Sequence, residues 1–433
     1  MITAALLALQ VAAADTVPAA VDTVPRISLG EAIRRSARLD PDYVEALGDI
    51  QNAEWGRRAA VVAFFVPAIS LGLDETKYST EFFNPSDPAN PTSTLVVGSA
   101  RADYEIFSLR KFAELGRTKA EVESAEAGEL EQRFRAALET ESSYYDVLVN
   151  QELARVAQER ASRALEGLGV ARARVASGAA VQTDSLQILL ELNRARVGLL
   201  QDEARLRVAR LALGRRVGTP GGVDAVPLDS ARAPDLPLTL VEAMTQAVEQ
   251  GPEYRAARAS ERAAEAAVRA RRGSYLPSVF LSANETTFGD NFYPVGLTRR
   301  TLTVSLSYPL WDNANRELNY ARARNAREVA RAVRADLERA AEVDVTAGWE
   351  AYQTARATSD FSEQALIVAR EVFRVQESRY RAGASTILDL LDAQSGLTQA
   401  QADLVQARYA ARLALAGLEA ILGRRLFSDK DPL

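Results

Sequence analysis

The chain has 433 residues, 47% hydrophobic and 25% charged, an ordered composition long enough for two or three ordinary domains or one very elongated one. It contains no cysteine and no histidine, which excludes disulfides, Cys/His metal sites, thiol nucleophiles and any Ser-His-Asp triad. A net charge of −6 leaves no basic footprint for nucleic acid.

Residues 1–14 are apolar and end in Ala12-Ala13-Ala14-Asp15, a small-residue cleavage pattern, so an export signal is expected within residues 1–25. A basic n-region is missing, because the first Arg or Lys is Arg26; a disordered Ala-rich tail is the competing reading. No apolar run is long enough for a transmembrane helix, and the nearest, residues 59–73, carries Pro67.

Ile27-Ser-Leu-Gly-Glu-Ala-Ile33 opens a short helix, with Ser28 and Glu31 as a capping box. The same words return in Leu238-Thr-Leu-Val-Glu-Ala-Met244. Leu29, Glu31, Ala32, Pro41 and Tyr43 map onto Leu240, Glu242, Ala243, Pro252 and Tyr254 at a constant offset of 211, which reads as internal duplication. The expected organisation is a first repeat over 26–217, a Gly/Pro linker over 218–237, a second repeat over 238–424 and a tail over 425–433.

In each repeat a helix (42–66, then 253–276) runs to a proline, and the segment beyond that proline alternates with period two. Ile69, Leu71 and Leu73 oppose Ser70, Gly72 and Asp74; the return strand sets Val96, Ala100 and Tyr104 against Val97, Arg101 and Asp103. The copy does the same over 278–310, matching a first hairpin over about 68–107. No neighbouring helix has a spare apolar face to cover these strands. Each is expected to be about ten residues long, enough for a tilted strand to cross a bilayer. Phe64, Phe65, Tyr104, Phe107, Tyr275, Tyr308 and Trp311 gather at one end of the strands, and Tyr78, Phe82, Phe83, Phe292 and Tyr293 at the other. Two aromatic girdles favour a membrane barrel over a small soluble sheet.

Each hairpin is followed by a very long helix without proline, 109–176 and 313–381, on the order of 100 Å at ~1.5 Å per residue. Shorter helices return over 181–214 and 386–421. The turns between them hold Gly178 and Gly383, which are 205 positions apart and end the two helical hairpins in the same way. Asp184 follows the first turn and Asp389 and Asp392 the second; the latter two share one helical face. Exposed carboxylates at a helix start also suit the helix dipole, so a structural and a functional role both stay open for them. No catalytic constellation is assembled anywhere. Gly218-Thr-Pro-Gly-Gly222 lacks the Lys-Ser/Thr of a phosphate loop and reads as linker.

The doubled Leu-x-Glu-Ala opening with its Pro-x-Tyr, the strand ending Tyr308-Pro-Leu-Trp-Asp312, and the tip Tyr380-x-x-Gly-x-x-Thr-Ile-Leu-Asp389-x-x-Asp392-Ala together resemble the TolC type of outer-membrane efflux protein, over residues 27–424. The resemblance implies a mainly α fold with membrane β: long antiparallel coiled-coil hairpins forming an α-barrel, and a trimeric twelve-stranded β-barrel to which each chain gives four strands. It implies the exit duct of a tripartite efflux or type I secretion system, set in the outer membrane with a long periplasmic extension. Its partners would be two further copies, outer-membrane lipid, a periplasmic adaptor (membrane fusion protein) and an inner-membrane pump, with no enzyme activity, cofactor or metal. Asp389 and Asp392 resemble the acidic rings at the closed end of the duct, and Asp184 and Tyr380 resemble members of the network holding it shut. Gly178, Ala179, Gly383 and Ala384 would form the adaptor-docking tips. The sequence departs from the pattern at Ser385, where an Arg is usual, at Val175, where a Tyr is usual, and at Glu105, which replaces the Pro after Tyr104. A periplasmic adaptor would carry one hairpin flanked by β-domains, and a coiled-coil scaffold would leave the strands unexplained.

Overall fold

The structure, a computed structural model, describes residues 24–85, 88–228, 233–289 and 296–427. The expected export signal, nearly all of the N-terminal segment, most of the tail and the loop aromatics Phe292 and Tyr293 lie outside the described residues. In chain order come β1 (Arg26–Ile27), α1 (Leu29–Ala37), α2 (Pro41–Phe65), β2 (Ala68–Phe82), β3 (Thr92–Phe107), α3 (Leu109–Ala176) and α4 (Gln182–Arg216). After β4 (Asp224–Ala225) the same order returns as α5 (Leu240–Gln250), α6 (Pro252–Gly273), β5 (Ser278–Gly289), β6 (Thr298–Ser307), α7 (Asn315–Arg381) and α8 (Ile387–Leu422).

Local chemistry sets the helix ends. Asp40 caps α2 by accepting from the Tyr43 amide at 3.1 Å, with Pro41 preset at the first helical position. Pro67 holds Val66 in extended conformation and stops the helix there. The box expected at Ser28 and Glu31 is only half made. Ser28 accepts from the Glu31 amide at 3.4 Å, but Arg34 and Arg35 hold the Glu31 carboxylate at 2.8 and 2.6 Å. At α5 the box is complete: the Thr239 amide reaches Glu242 at 2.7 Å and the Glu242 amide reaches Thr239 at 3.3 Å.

The four long strands form one antiparallel sheet in the order β2-β3-β5-β6, so the two hairpins join through β3 and β5. The register aligns Ile69, Ala102, Ala283 and Leu302 in one row and Ser70, Arg101, Asn284 and Thr301 in the next. Successive rows point to opposite faces, so the face of Ile69 and Leu302 is mainly apolar, interrupted by the Arg300–Glu285 ion pair at 3.0 Å in the row of Leu71, and the other face is mainly polar. Among the described residues no helix covers the apolar face: Leu71 is 82% exposed and Leu302 73%. The first hairpin exceeds the expected ten residues, with 15 in β2 and 16 in β3 against 12 and 10 in β5 and β6. Polar residues from Asp74 onward break the apolar alternation, yet the ladder continues through Glu75 opposite Val96 and Lys77 opposite Thr94.

The 68 residues of α3 and 67 of α7 each span on the order of 100 Å. Near the sheet, α2 and α6 pack on them: Tyr43 donates to Glu129 of α3 at 2.7 Å, and Arg334 of α7 pairs with Glu261 of α6. Farther away α4 and α8 replace them, with Arg160 of α3 on Glu191 of α4 and Arg408 of α8 on Glu363 of α7. The repeats meet where Gln401 of α8 donates to Glu159 of α3 at 3.1 Å and accepts from Arg163 at 3.2 Å.

Between sheet and tips a waist holds the molecule together. Tyr144 is fully buried and donates to the Val226 carbonyl at 2.7 Å, closing the parallel β1–β4 pair over Leu148, Leu213 and Val223. In the second repeat Tyr352 donates to the Pro234 carbonyl at 2.5 Å beside a core of Val345, Leu418 and Leu422. Arg425 joins the halves by bridging the buried carboxylates of Glu141 and Glu419. Burial raises the Glu141 carboxyl above its usual range despite that arginine.

Candidate functional site: the two helical tips

Both hairpins turn in the same way. Gly178 has φ +76° and Gly383 φ +77°, a left-handed conformation that costs glycine little and other residues more. At the first tip the Gly178 amide donates to Val175 at 3.1 Å and the Ala179 amide to Arg174 at 2.9 Å. At the second, Gly383 donates to Tyr380 at 3.0 Å and Ala384 to Arg379 at 2.8 Å. These paired bonds satisfy the last carbonyls of α3 and α7 and leave Ala179 and Ala384 exposed at the apices.

The return helices start differently, although Asp184 and Asp389 match in sequence. Thr386 and Asp389 make a full capping box: the Thr386 amide and hydroxyl donate to the Asp389 carboxylate at 3.0 and 2.7 Å, and the Asp389 amide donates to the Thr386 hydroxyl at 3.2 Å. The bonds from Thr386 hold the Asp389 carboxyl below the ordinary range. In the first repeat Val181 occupies the cap position and makes no side-chain bond, so Asp184 has no such duty. It sits beside Tyr380, whose hydroxyl is pushed up first by burial and then by the Asp184 charge. Asp392 is exposed and borders a groove between α7 and α8 with Val368, Val372, Gly396 and Asp403. The fold thus brings Tyr380 and Asp184 together across the tips. Asp389 is turned back onto its own helix start, and Asp392 lies apart on the groove.

One tip residue was not legible from the motif. Arg174 of α3 stacks on the Tyr380 ring at 4.5 Å and donates to the Tyr380 carbonyl, crossing from the first repeat to the second. The available signal was the duplication itself, since Arg174 and Arg379 each precede their turn glycine by four residues.

At the other end of the long helices the aromatics cluster where strands meet helices. The Tyr104 hydroxyl donates to the Phe64 carbonyl at 2.9 Å, and Phe64 packs edge-on against Phe65 and Phe112. Phe107 lies 6.1 Å from Phe112, and Tyr275 packs against Tyr320. Tyr308 and Trp311 remain exposed. Tyr78 stacks on Phe82 at the far end of the first hairpin, next to exposed Phe83. Among the described residues no helix is long and apolar enough to cross a membrane.

The model of the outer membrane efflux protein family matches residues 33–219 and 243–424, one segment in each half. The chain belongs to that family. Among its relatives is the pyoverdine export outer membrane protein OpmQ of Pseudomonas putida, 27% identical over 386 residues covering 83% of this chain and 78% of that one. The fold is that of the solved outer-membrane channels. VceC of Vibrio cholerae superposes with a TM-score of 0.73 at 18% identity, covering 92% of this chain and 96% of VceC. CmeC of Campylobacter jejuni gives 0.77 at 13% identity, covering 93% and 87%.

Proposed function

We propose that three copies of this efflux-family chain close into one continuous exit duct, a twelve-stranded barrel in the outer membrane prolonged by a helical tunnel through the periplasm. The observation that carries this is a pair of open lateral edges at every level of the protomer. The sheet ends in β2 and β6. Beside it the helical wall ends in α2 and α7, and toward the tips in α4 and α7. Exposed apolar residues line these edges, among them Val61 and Val62 on α2, Leu190 and Val197 on α4, and Val368 and Val372 on α7. The first repeat supplies one edge and the second repeat the other, so head-to-tail repetition around an axis closes a ring. Open strand edges in lipid would leave backbone groups unpaired at several kcal/mol each, so a single chain should not insert.

In this duct the apolar row of Ile69, Ala102, Ala283 and Leu302 faces lipid, and the row of Ser70, Arg101, Asn284 and Thr301 faces the lumen. Glu105 sits on the lumen side, paired with Arg110 at 3.7 Å. The internal duplication gives three chains six similar tips, with Gly178, Ala179, Gly383 and Ala384 as the docking surface for a periplasmic adaptor coupled to an inner-membrane pump. Asp184, Tyr380, Asp389 and Asp392 form the aperture. The duct is passive, without a catalytic step or cofactor, and its cargo is delivered by the pump. Planar bilayer recording of purified protein tests the reading: discrete, long-lived conductance steps are expected. A protein that never produces steps, at any concentration or voltage, would contradict it.

A further inference from the structure

Beside the sheet the helical wall runs α2-α3-α6-α7, so α3 of the first repeat packs on α6 of the second. In the duplicated chain α7 is the counterpart of α3, and α2 the counterpart of α6. The α3–α6 joint is therefore the copy, inside one chain, of the joint that α7 would make with α2 of a next chain. Inside the chain it is built from small residues. Ala259, Ala266, Ala270 and Gly273 form one buried stripe of α6. Arg262 in that stripe lies 4.0 Å from Glu123 of α3, and a Cβ on Gly273 would stand 2.6 Å from the Arg110 backbone. At the offset of 211 that aligns the two openings, the same stripe on α2 reads Gly48, Gln51, Trp55, Ala59 and Val62. Ala266, 1% exposed, thus corresponds to Trp55, which is 66% exposed with the Arg58 guanidinium 5.1 Å from its ring. Exposed Val44 and Val62 continue this face at heptad spacing. On α7 the offset of 205 between the turn glycines converts Glu123 into Glu328. Ala266 lies between the Glu123 and Arg110 contacts, at the level of residues 116–120, which become 321–325. There α7 exposes Ala321, Arg322 and Asn325 between exposed Leu318 and Val329.

We propose that Trp55 is the anchor of the joint between chains, seated on Ala321 and Asn325 of a second copy with Arg322 of that copy against its ring. A tryptophan central on an open helix face is the residue type that dominates interface energy, and a guanidinium over an indole adds a cation–π contact. The inference rests on the ring closure proposed above and adds its register: α2 runs antiparallel to α7, with Gln51 beside Glu328. Detergent-purified full-length protein tests it. In a Trp311→Phe, Trp349→Phe background Trp55 is the sole tryptophan, and its acrylamide quenching in the trimer should be several-fold weaker than that of free tryptophan amide. The chain has no cysteine of its own, so Gln51→Cys with Glu328→Cys should join chains covalently through a short thiol cross-linker, and neither cysteine alone should do so. Trp55→Ala should speed trimer dissociation on heating about thirty-fold or more, the size of a hot-spot truncation, and Trp55→Phe should recover part of the loss. Because Trp55 stands outside the buried core, the folded content of the separate chain, read by circular dichroism, should not change in either variant. Wild-type trimers with Trp55 fully open to quencher, with no cross-link from the cysteine pair, or with Trp55→Ala dissociating at the wild-type rate would overturn the anchor while leaving the duct standing. Wild-type protein that is not trimeric would refute the duct and the anchor with it.

Discussion

Asp389 shares its carboxylate with the Thr386 amide and hydroxyl, whereas Asp392, one turn on, borders the α7–α8 groove. Two effects act on such groups with opposite sign. The capping bonds hold the Asp389 carboxyl below the ordinary range, while a ring of like charges raises every member. The capped carboxylate therefore supports the start of α8 above the unfolded carboxyl range, and that support is lost as pH falls through its depressed value. In the proposed trimeric duct, Asp392 would be the carboxylate left free to attract a multivalent cation. Block of single channels by a trivalent cation from the tip side should weaken about ten-fold or more in Asp392→Asn, and much less in Asp389→Asn, since charges this close couple by several kcal/mol at intermediate dielectric. Block that survives intact in the double variant would mean that the tip carboxylates are helix-start charges only.

The strand hairpins turn residue alternation into a surface. Leu302 lies midway along the edge strand β6 on the apolar face, opposite Ala283 and 73% exposed within the protomer. In the proposed barrel it would meet lipid near the midplane, so Leu302→Arg should destabilise the folded protein by about 2–4 kcal/mol, while Thr301→Arg on the lumen face should be tolerated. Denaturant titration in detergent or liposomes measures both, and equal costs would contradict the assignment of faces. Most elements were legible in the sequence because their signals are local. Proline and glycine punctuate the helices, and α3 runs from Leu109 to Ala176 as its unbroken pattern predicts. The length of β2 was not, because Glu75 and Lys77 break the apolar alternation and only the pairing with β3 carries the strand past them. The Glu31 half of its capping box failed for a related reason: Arg34 and Arg35 compete for the carboxylate, and the motif does not weigh that competition. At the tips the glycine turns and carboxylates could be read from sequence. The Arg174–Tyr380 joint could not, since its partners stand 206 positions apart and only the folded hairpins bring them together.

At the scale of the whole molecule the protomer is an unfinished wall. Its core lies at the waist and along the helical joints, and the residues that would close its sides are left exposed. Tyr144 and Tyr352, one from each repeat, anchor two carbonyls of the segment between the repeats, and Arg425 ties the repeats together through Glu141 and Glu419. In the proposed duct each chain would be one third of a cylinder, with lateral edges that differ in sequence. Ring closure by three such chains is the central claim, and native mass measurement on protein extracted by detergent from the outer-membrane fraction tests it most directly. The account predicts a single species at about three times the 47.0 kDa chain mass, less any cleaved leader, that resists dissociation on mild heating. A stable, water-soluble species at the mass of one chain would contradict it.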